Sequence, residues 1–132
     1  AERLSRYTER GLLLLAADAA GLRATFKAGD TLLEAGLHPA VVTLPPGEDP
    51  DTLVRSEGRE GLEQYLDQAV DVLDRKLQIL DEKDYFSSIE RTRSAVDRLL
   101  PTIRAASDPA LHDIYVAKVA DRTGVRRETL EA

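Results

Sequence analysis

The stretch Gly11-Leu12-Leu13-Leu14-Leu15-Ala16-Ala17-Asp18-Ala19-Ala20-Gly21 decides the fold. An apolar run that closes on a carboxylate and opens into an alanine-rich helical pattern reads as a strand over Leu12 to Ala16, delivering Asp18 to a strand-to-helix turn. No polar residue alternates with the leucines, so this strand is expected to be buried on both faces. Asp18 is then placed to accept backbone N–H groups of the following helix at the positive end of its dipole.

Working outward, Leu22, Phe26 and Leu33, with Gly29 between them, line one face of that helix, and Gly36 supplies its stop. Ala40 to Leu44 is short and β-branched and makes a second strand. Strand, helix and strand in so short a span form a βαβ unit, which requires parallel strands and a right-handed crossover. Pro45, Pro46, Gly47 and Pro50 hold the next segment extended, so that Asp49 is presented from a stiff loop. Asp51 is expected to cap a short helix through Leu53 and Val54 that Gly58 ends. On the other side of the opening stretch, Leu4 and Tyr7 among charged residues suggest a short surface helix.

After Gly58 the pattern is helical throughout. Leu62, Leu66, Ala69, Leu73, Leu77 and Leu80 fall on one face of a single long helix. Ser87 and Glu90 have capping-box spacing before a helix carrying Ile89, Val96, Leu99, Leu100 and Ile103, with Pro101 expected to kink it. Ser107, Asp108 and Pro109 open another helix, with Leu111, Ile114, Tyr115 and Val119 as its apolar face and Gly124 as its end. The fold class is therefore α/β followed by all-α: a Rossmann-like parallel βαβ unit over residues 1–58, packed with a helical subdomain over residues 59–132. Two parallel strands leave an open edge, from which self-association is expected.

Composition limits the function classes. The chain has 132 residues and is 42% hydrophobic, enough for a core, and its lack of cysteine excludes disulfides and thiolate metal sites. A net charge of -6 disfavours a generic polyanion binder but leaves room for a local basic groove. With no signal peptide and no long apolar run, a cytoplasmic protein without a membrane partner is expected. The sequence opens on Ala1 and ends inside a helical pattern, as expected for a piece of a longer protein.

Asp18, Asp49 and Asp51 each fall just beyond a strand's carboxyl end, the edge where open α/β sheets bind ligands. Three carboxylates without histidine or cysteine suit Mg²⁺ or Mn²⁺, and hence phosphate chemistry. The same residue type caps helices and fills turns, so spacing alone supports both readings. His38 and His112 lack partners at ligand spacing and read as surface histidines. Arg23 and Lys27, one turn apart, are placed either to meet phosphates or to form a solvated face. The tail from Val119 to Leu130 is similar to the first half of a helix-turn-helix, with Arg126 and Arg127 pointing to DNA, and is read here as a helical cap.

A family resemblance narrows these alternatives. Asp18-Ala19-Ala20-Gly21-Leu22 with its helix, and Leu44-Pro45-Pro46-Gly47-Glu48-Asp49-Pro50-Asp51-Thr52-Leu53-Val54 followed by Gly58, resemble the second half of the Toprim domain of bacterial DnaG-type DNA primases. In that family a strand ends in Asp-x-Asp-x-x-Gly and a later loop carries Gly-x-Asp-Pro-Asp. The helices from Arg59 onward resemble the helical subdomain that closes the primase RNA polymerase region. The resemblance implies that Asp18, Asp49 and Asp51 are metal ligands for Mg²⁺ or Mn²⁺. It also implies synthesis of short RNA primers from nucleoside triphosphates on a single-stranded DNA template, and a replicative helicase partner reached through a domain absent here. Two departures stand out: Ala16 occupies the place of the first Asp, and the upstream glycine motif bearing the catalytic Glu is absent. No catalytic set is then complete, metal binding is weakened, and the chain alone is expected to be inactive. The alternative is a non-catalytic scaffold or interaction module that kept the Toprim fold and lost its metal site.

Overall fold

The computed structural model describes residues 13–16 and 19–132. The N-terminal surface helix, Leu12 and Asp18 of the sequence reading lie outside the described residues. In chain order the elements are β1 (Leu13–Ala16), α1 (Ala19–Glu34), β2 (Ala40–Thr43), α2 (Pro50–Asp67), β3 (Val70–Asp71), α3 (Val72–Glu82), α4 (Ile89–Ala105), α5 (Pro109–Thr123) and α6 (Arg127–Glu131). Among the described residues no helix is long and apolar enough to cross a membrane.

The βαβ unit forms as expected. β1 pairs parallel with β2 from Leu13↔Ala40 to Ala16↔Thr43. A third strand, not anticipated, pairs antiparallel with β2 at Ala40↔Asp71 and Val41↔Val70, so β2 is central. Because strand side chains alternate, Val41 and Val42 face opposite layers. Val42 packs with Leu44, Leu53 and Leu66 under α2, while Val41 joins Leu33, Val72, Leu73 and the helices after them in the larger core. The same alternation corrects the expectation for β1. Ala16 is buried but Leu15 is 42% exposed, because β1 is an edge strand and Leu15 lies on the face opposite Ala16.

The expected long helix over Leu62 to Leu80 is two helices. The chain leaves helical geometry at Gln68, pairs with β2 at Val70 and Asp71, and restarts at Val72. Leucine spacing could not reveal this, because the stripe changes partners at the break. Leu62 and Leu66 pack under the sheet, whereas Leu73, Leu77 and Leu80 face the helical core. Asp71 makes the restart, its Oδ2 accepting the Leu73 N–H at 2.8 Å.

Three further expectations shift. Asp49, not Asp51, caps α2, and Gly58, at φ 76 and ψ 177, breaks that helix without ending it, a backbone geometry natural to glycine. Ser88, one residue after the expected cap, accepts the Arg91 N–H and starts α4, which then runs through Pro101 to Ala105. On α5 Ile114 is 52% exposed and Val116 takes the buried place beside Tyr115 and Val119. Asp108 and Pro109 open α5, and Gly124 closes it, as the sequence indicates.

α1 lies close on the sheet because Gly29 has no side chain. A Cβ there would sit 2.9 Å from Val72 Cγ2 and 3.5 Å from Leu14 Cδ1. Val72 is fully buried and stiff at χ1, so it cannot yield cheaply. Gly29→Ala should therefore lose stability, since overpacking costs about 1–3 kcal/mol against about 1 kcal/mol of gained helix propensity. The expected outcome is a lower urea midpoint with an unchanged slope; a higher midpoint would contradict this packing.

Candidate functional site

β1 and β2 end level with each other, the Leu44 N–H donating to the Ala16 carbonyl at 2.7 Å. The chain therefore leaves both parallel strands at one sheet edge, toward α1 from Ala16 and toward the proline-rich loop from Leu44. Asp49 stands at the end of that loop in extended conformation. Its Oδ1 accepts the Thr52 N–H at 2.8 Å, and its own N–H donates to Thr52 Oγ1 at 2.8 Å. This reciprocal capping box uses one carboxylate oxygen, and Pro50 at the first helical position lacks the N–H that would otherwise need a partner. Asp51 is exposed in the first turn of α2.

Ala16 ends β1, Asp49 and Asp51 lie at the end of the loop after β2 and in the first turn of α2, and Asp18 lies outside the described residues. Ala16 is buried and offers no side-chain oxygen. Sequence reasoning passed over Glu48, whose Oε2 is buried without a hydrogen-bond partner among the described residues. A desolvated carboxylate oxygen is costly unless something positive meets it. Its signal was its place in the acidic loop itself, between Gly47 and Asp49. Oxygen donors of this kind fit a hard divalent cation. Among the described residues, no three His, Cys, Asp or Glu side chains are grouped to hold a metal.

The basic pair of α1 separates. Arg23 lines a cleft with Lys76, Lys83 and Arg98 from α3, its end and α4, whereas Lys27 stands outside it. Both histidines brace helices. His38 Nε2 lies 2.9 Å from Asp108 Oδ2, and this bond, with the Ala110 N–H, holds the Asp108 carboxyl below the usual carboxylate range. His112 Nδ1 lies 3.0 Å from the Ile103 carbonyl oxygen. In the tail, Arg127 pairs with Asp113 and Glu131, and Leu130 is buried in the core, so α6 closes the bundle as the cap reading expects.

The chain is 31% identical to a DNA primase of Clostridium acetobutylicum over 130 residues, 98% of this chain and 22% of that protein. It is 34% identical to a DNA primase of Myxococcus xanthus over 121 residues, 92% of this chain and 20% of that protein. The solved E. coli primase catalytic core superposes with a TM-score of 0.73 at 26% identity, covering 89% of this chain and 39% of that one. Over nearly its whole length the chain is thus similar to one segment of bacterial DNA primases. It spans about a fifth of the length of the curated relatives it matches. The family model described as the DnaB-helicase binding domain of primase matches residues 86–128. That match spans α4, α5 and the start of α6 of this chain, whereas the resemblance put helicase contact in a domain absent from the chain.

The capping role of Asp49 can be separated from any ligand role. Asp49→Ala should cost about 1 kcal/mol, the usual loss on removing an N-cap, while Asp51→Ala should stay within about 0.5 kcal/mol. Denaturant unfolding measures both; equal losses would contradict the assignment of the cap.

Proposed function

We propose that this segment works within the RNA polymerase region of a bacterial primase, which makes short RNA primers from nucleoside triphosphates on single-stranded DNA in the cytoplasm. The observation that supports this most is the level ending of β1 and β2, after which the proline-rich loop leads from β2 to Asp49 and Asp51. Asp18, Asp49 and Asp51 would hold Mg²⁺ or Mn²⁺ there. When bound, such a metal neutralises charge developing on the attacking and leaving oxygens of nucleotidyl transfer. The capping box of Asp49 and Thr52 keeps the loop's carboxylates in place without a ligand. Ala16 contributes no oxygen, so affinity is low and the chain by itself is inactive.

The helicase-binding match over residues 86–128 supports a second reading of the same segment. In it, α4 and α5 meet the replicative helicase, and the α/β unit serves as a scaffold that kept its fold after losing a ligand at Ala16. The two readings differ in what the edge does with metal.

Titrating the full chain with Mn²⁺ and following backbone amides separates them. The polymerase reading expects broadening around Asp18, Asp49 and Asp51 at millimolar metal, with Ala16→Asp shifting it to lower concentration. Absence of broadening in both proteins would leave only the scaffold reading.

A further inference from the structure

Ile89 opens α4 directly after the Ser88 cap, and it is 92% exposed, the most of any large apolar residue among those described. It stands on a groove of about 500 Å³ whose walls are the α3–α4 loop with the first turns of α4, and the α5–α6 turn. Phe86, Val96 and Val125 line this groove beside Ile89. A lone exposed apolar side chain is ordinary, but several around one concavity mark a surface that a partner covers.

Both walls are held in place by the chain itself. Asp84 takes a left-handed φ of 60, and the Arg91 guanidinium donates to its carbonyl and to that of Lys83, at 2.9 and 2.8 Å. The Arg122 guanidinium lies 4.6 Å from the centre of the Phe86 ring and pairs with Asp81, which ties the loop to α5. On the other wall the Val125 N–H donates to Thr123 Oγ1 at 3.2 Å, just after Gly124 closes α5 at φ 78. An ordered surface of this kind loses less entropy on binding than a flexible one. The hydroxyls of the groove are already committed: Ser87, Thr92 and Thr123 each donate to a backbone carbonyl at 2.7 Å. Among the described residues its one charged lining residue, Arg93, is paired with Asp97 at 2.8 Å. A phosphate backbone needs free cations and donors, so the groove suits the apolar face of a protein segment and not a nucleic acid.

The family match over residues 86–128 begins at Phe86 and runs past Val125, so it takes in both walls. We propose that this groove is the docking surface for the replicative helicase, with Ile89 as the anchor and an apolar segment of the helicase seated against Val96, Val125 and Phe86. The proposal rests on the helicase reading of residues 86–128 and narrows it from two whole helices to one end of the bundle. Ile114, the other exposed large apolar residue in the matched span, lies along α5 outside the groove and takes no part.

The test is the affinity of the full chain for the purified DnaB-type helicase hexamer, measured by surface plasmon resonance for the parent chain and for Ile89→Asp, Ile89→Leu and Ile114→Asp. Both positions are exposed, so the variants keep the fold, and their urea midpoints check this. The proposal expects Ile89→Asp to lose affinity roughly tenfold or more, Ile89→Leu to stay within about twofold of the parent, and Ile114→Asp to match it. Helicase binding that Ile89→Asp leaves unchanged, whether or not Ile114→Asp weakens it, overturns the groove and leaves the helicase reading standing. A parent chain that does not bind the helicase overturns that reading and the proposal with it. Sedimentation of the chain alone covers the remaining occupant: a concentration-dependent dimer that Ile89→Asp dissolves, and that the helicase does not displace, assigns the groove to a second copy and overturns the proposal.

Discussion

Asp71 is the point through which the sheet and the helices are joined. It ends β3 opposite Ala40, caps α3 through Oδ2, and accepts the Tyr115 hydroxyl of α5 on Oδ1 at 2.8 Å. Burial raises its pKa above the ordinary carboxylate value, outweighing the Tyr115, Leu73 and Asp74 hydrogen bonds that favour the charged form. The same burial and the facing carboxylate push the Tyr115 phenol far up, so its hydroxyl remains a donor. A hydrogen bond to a charged group contributes about 1.5–3 kcal/mol, a sizeable part of a total stability of about 5–15 kcal/mol.

Around this joint the chain divides its apolar residues between two cores. Val42, Leu44, Leu53 and Leu66 hold α2 to one face of the sheet, and Val41, Leu33 and Val72 hold the other face to α3, α4 and α5. The Ser107 hydroxyl and N–H both donate to the Leu33 carbonyl, at 3.0 and 3.3 Å, so the α4–α5 loop also closes the end of α1. The proposed function uses what this scaffold leaves outside the cores, the acidic loop after β2.

What was legible in the sequence is what rests on local chemistry. The parallel pairing of β1 with β2, the start of α5 at Asp108 and Pro109, and the reading of the tail as a helical cap all follow from short patterns. What was not legible depends on partners far along the chain. β3 is only Val70 and Asp71, hidden inside an unbroken leucine rhythm, and exists because β2 has a free edge. Asp49 and Asp51 offer α2 equal local chemistry, and the reciprocal bond with Thr52 decides between them. Leu15 looked buried because a leucine run does not say which strand is at the edge. At the candidate sites, Glu48 carried no motif role of its own, and Arg23, Lys76, Lys83 and Arg98 come together only through helix packing.

The claim that Asp71 and Tyr115 join the two halves is tested most directly by urea unfolding of Tyr115→Phe beside the parent chain across pH. The raised pKa means that folding favours protonated Asp71. Its stabilising contribution is complete below the unfolded carboxylate pKa and is lost as pH rises through the folded value. Removing the Tyr115 hydroxyl takes away a bond that favours the charged form, so the folded pKa rises further. The account predicts one cooperative transition, a deficit of about 1.5–3 kcal/mol at neutral pH, and a smaller deficit as pH falls toward roughly 4. A deficit that is absent, or the same at both ends of that range, would contradict it.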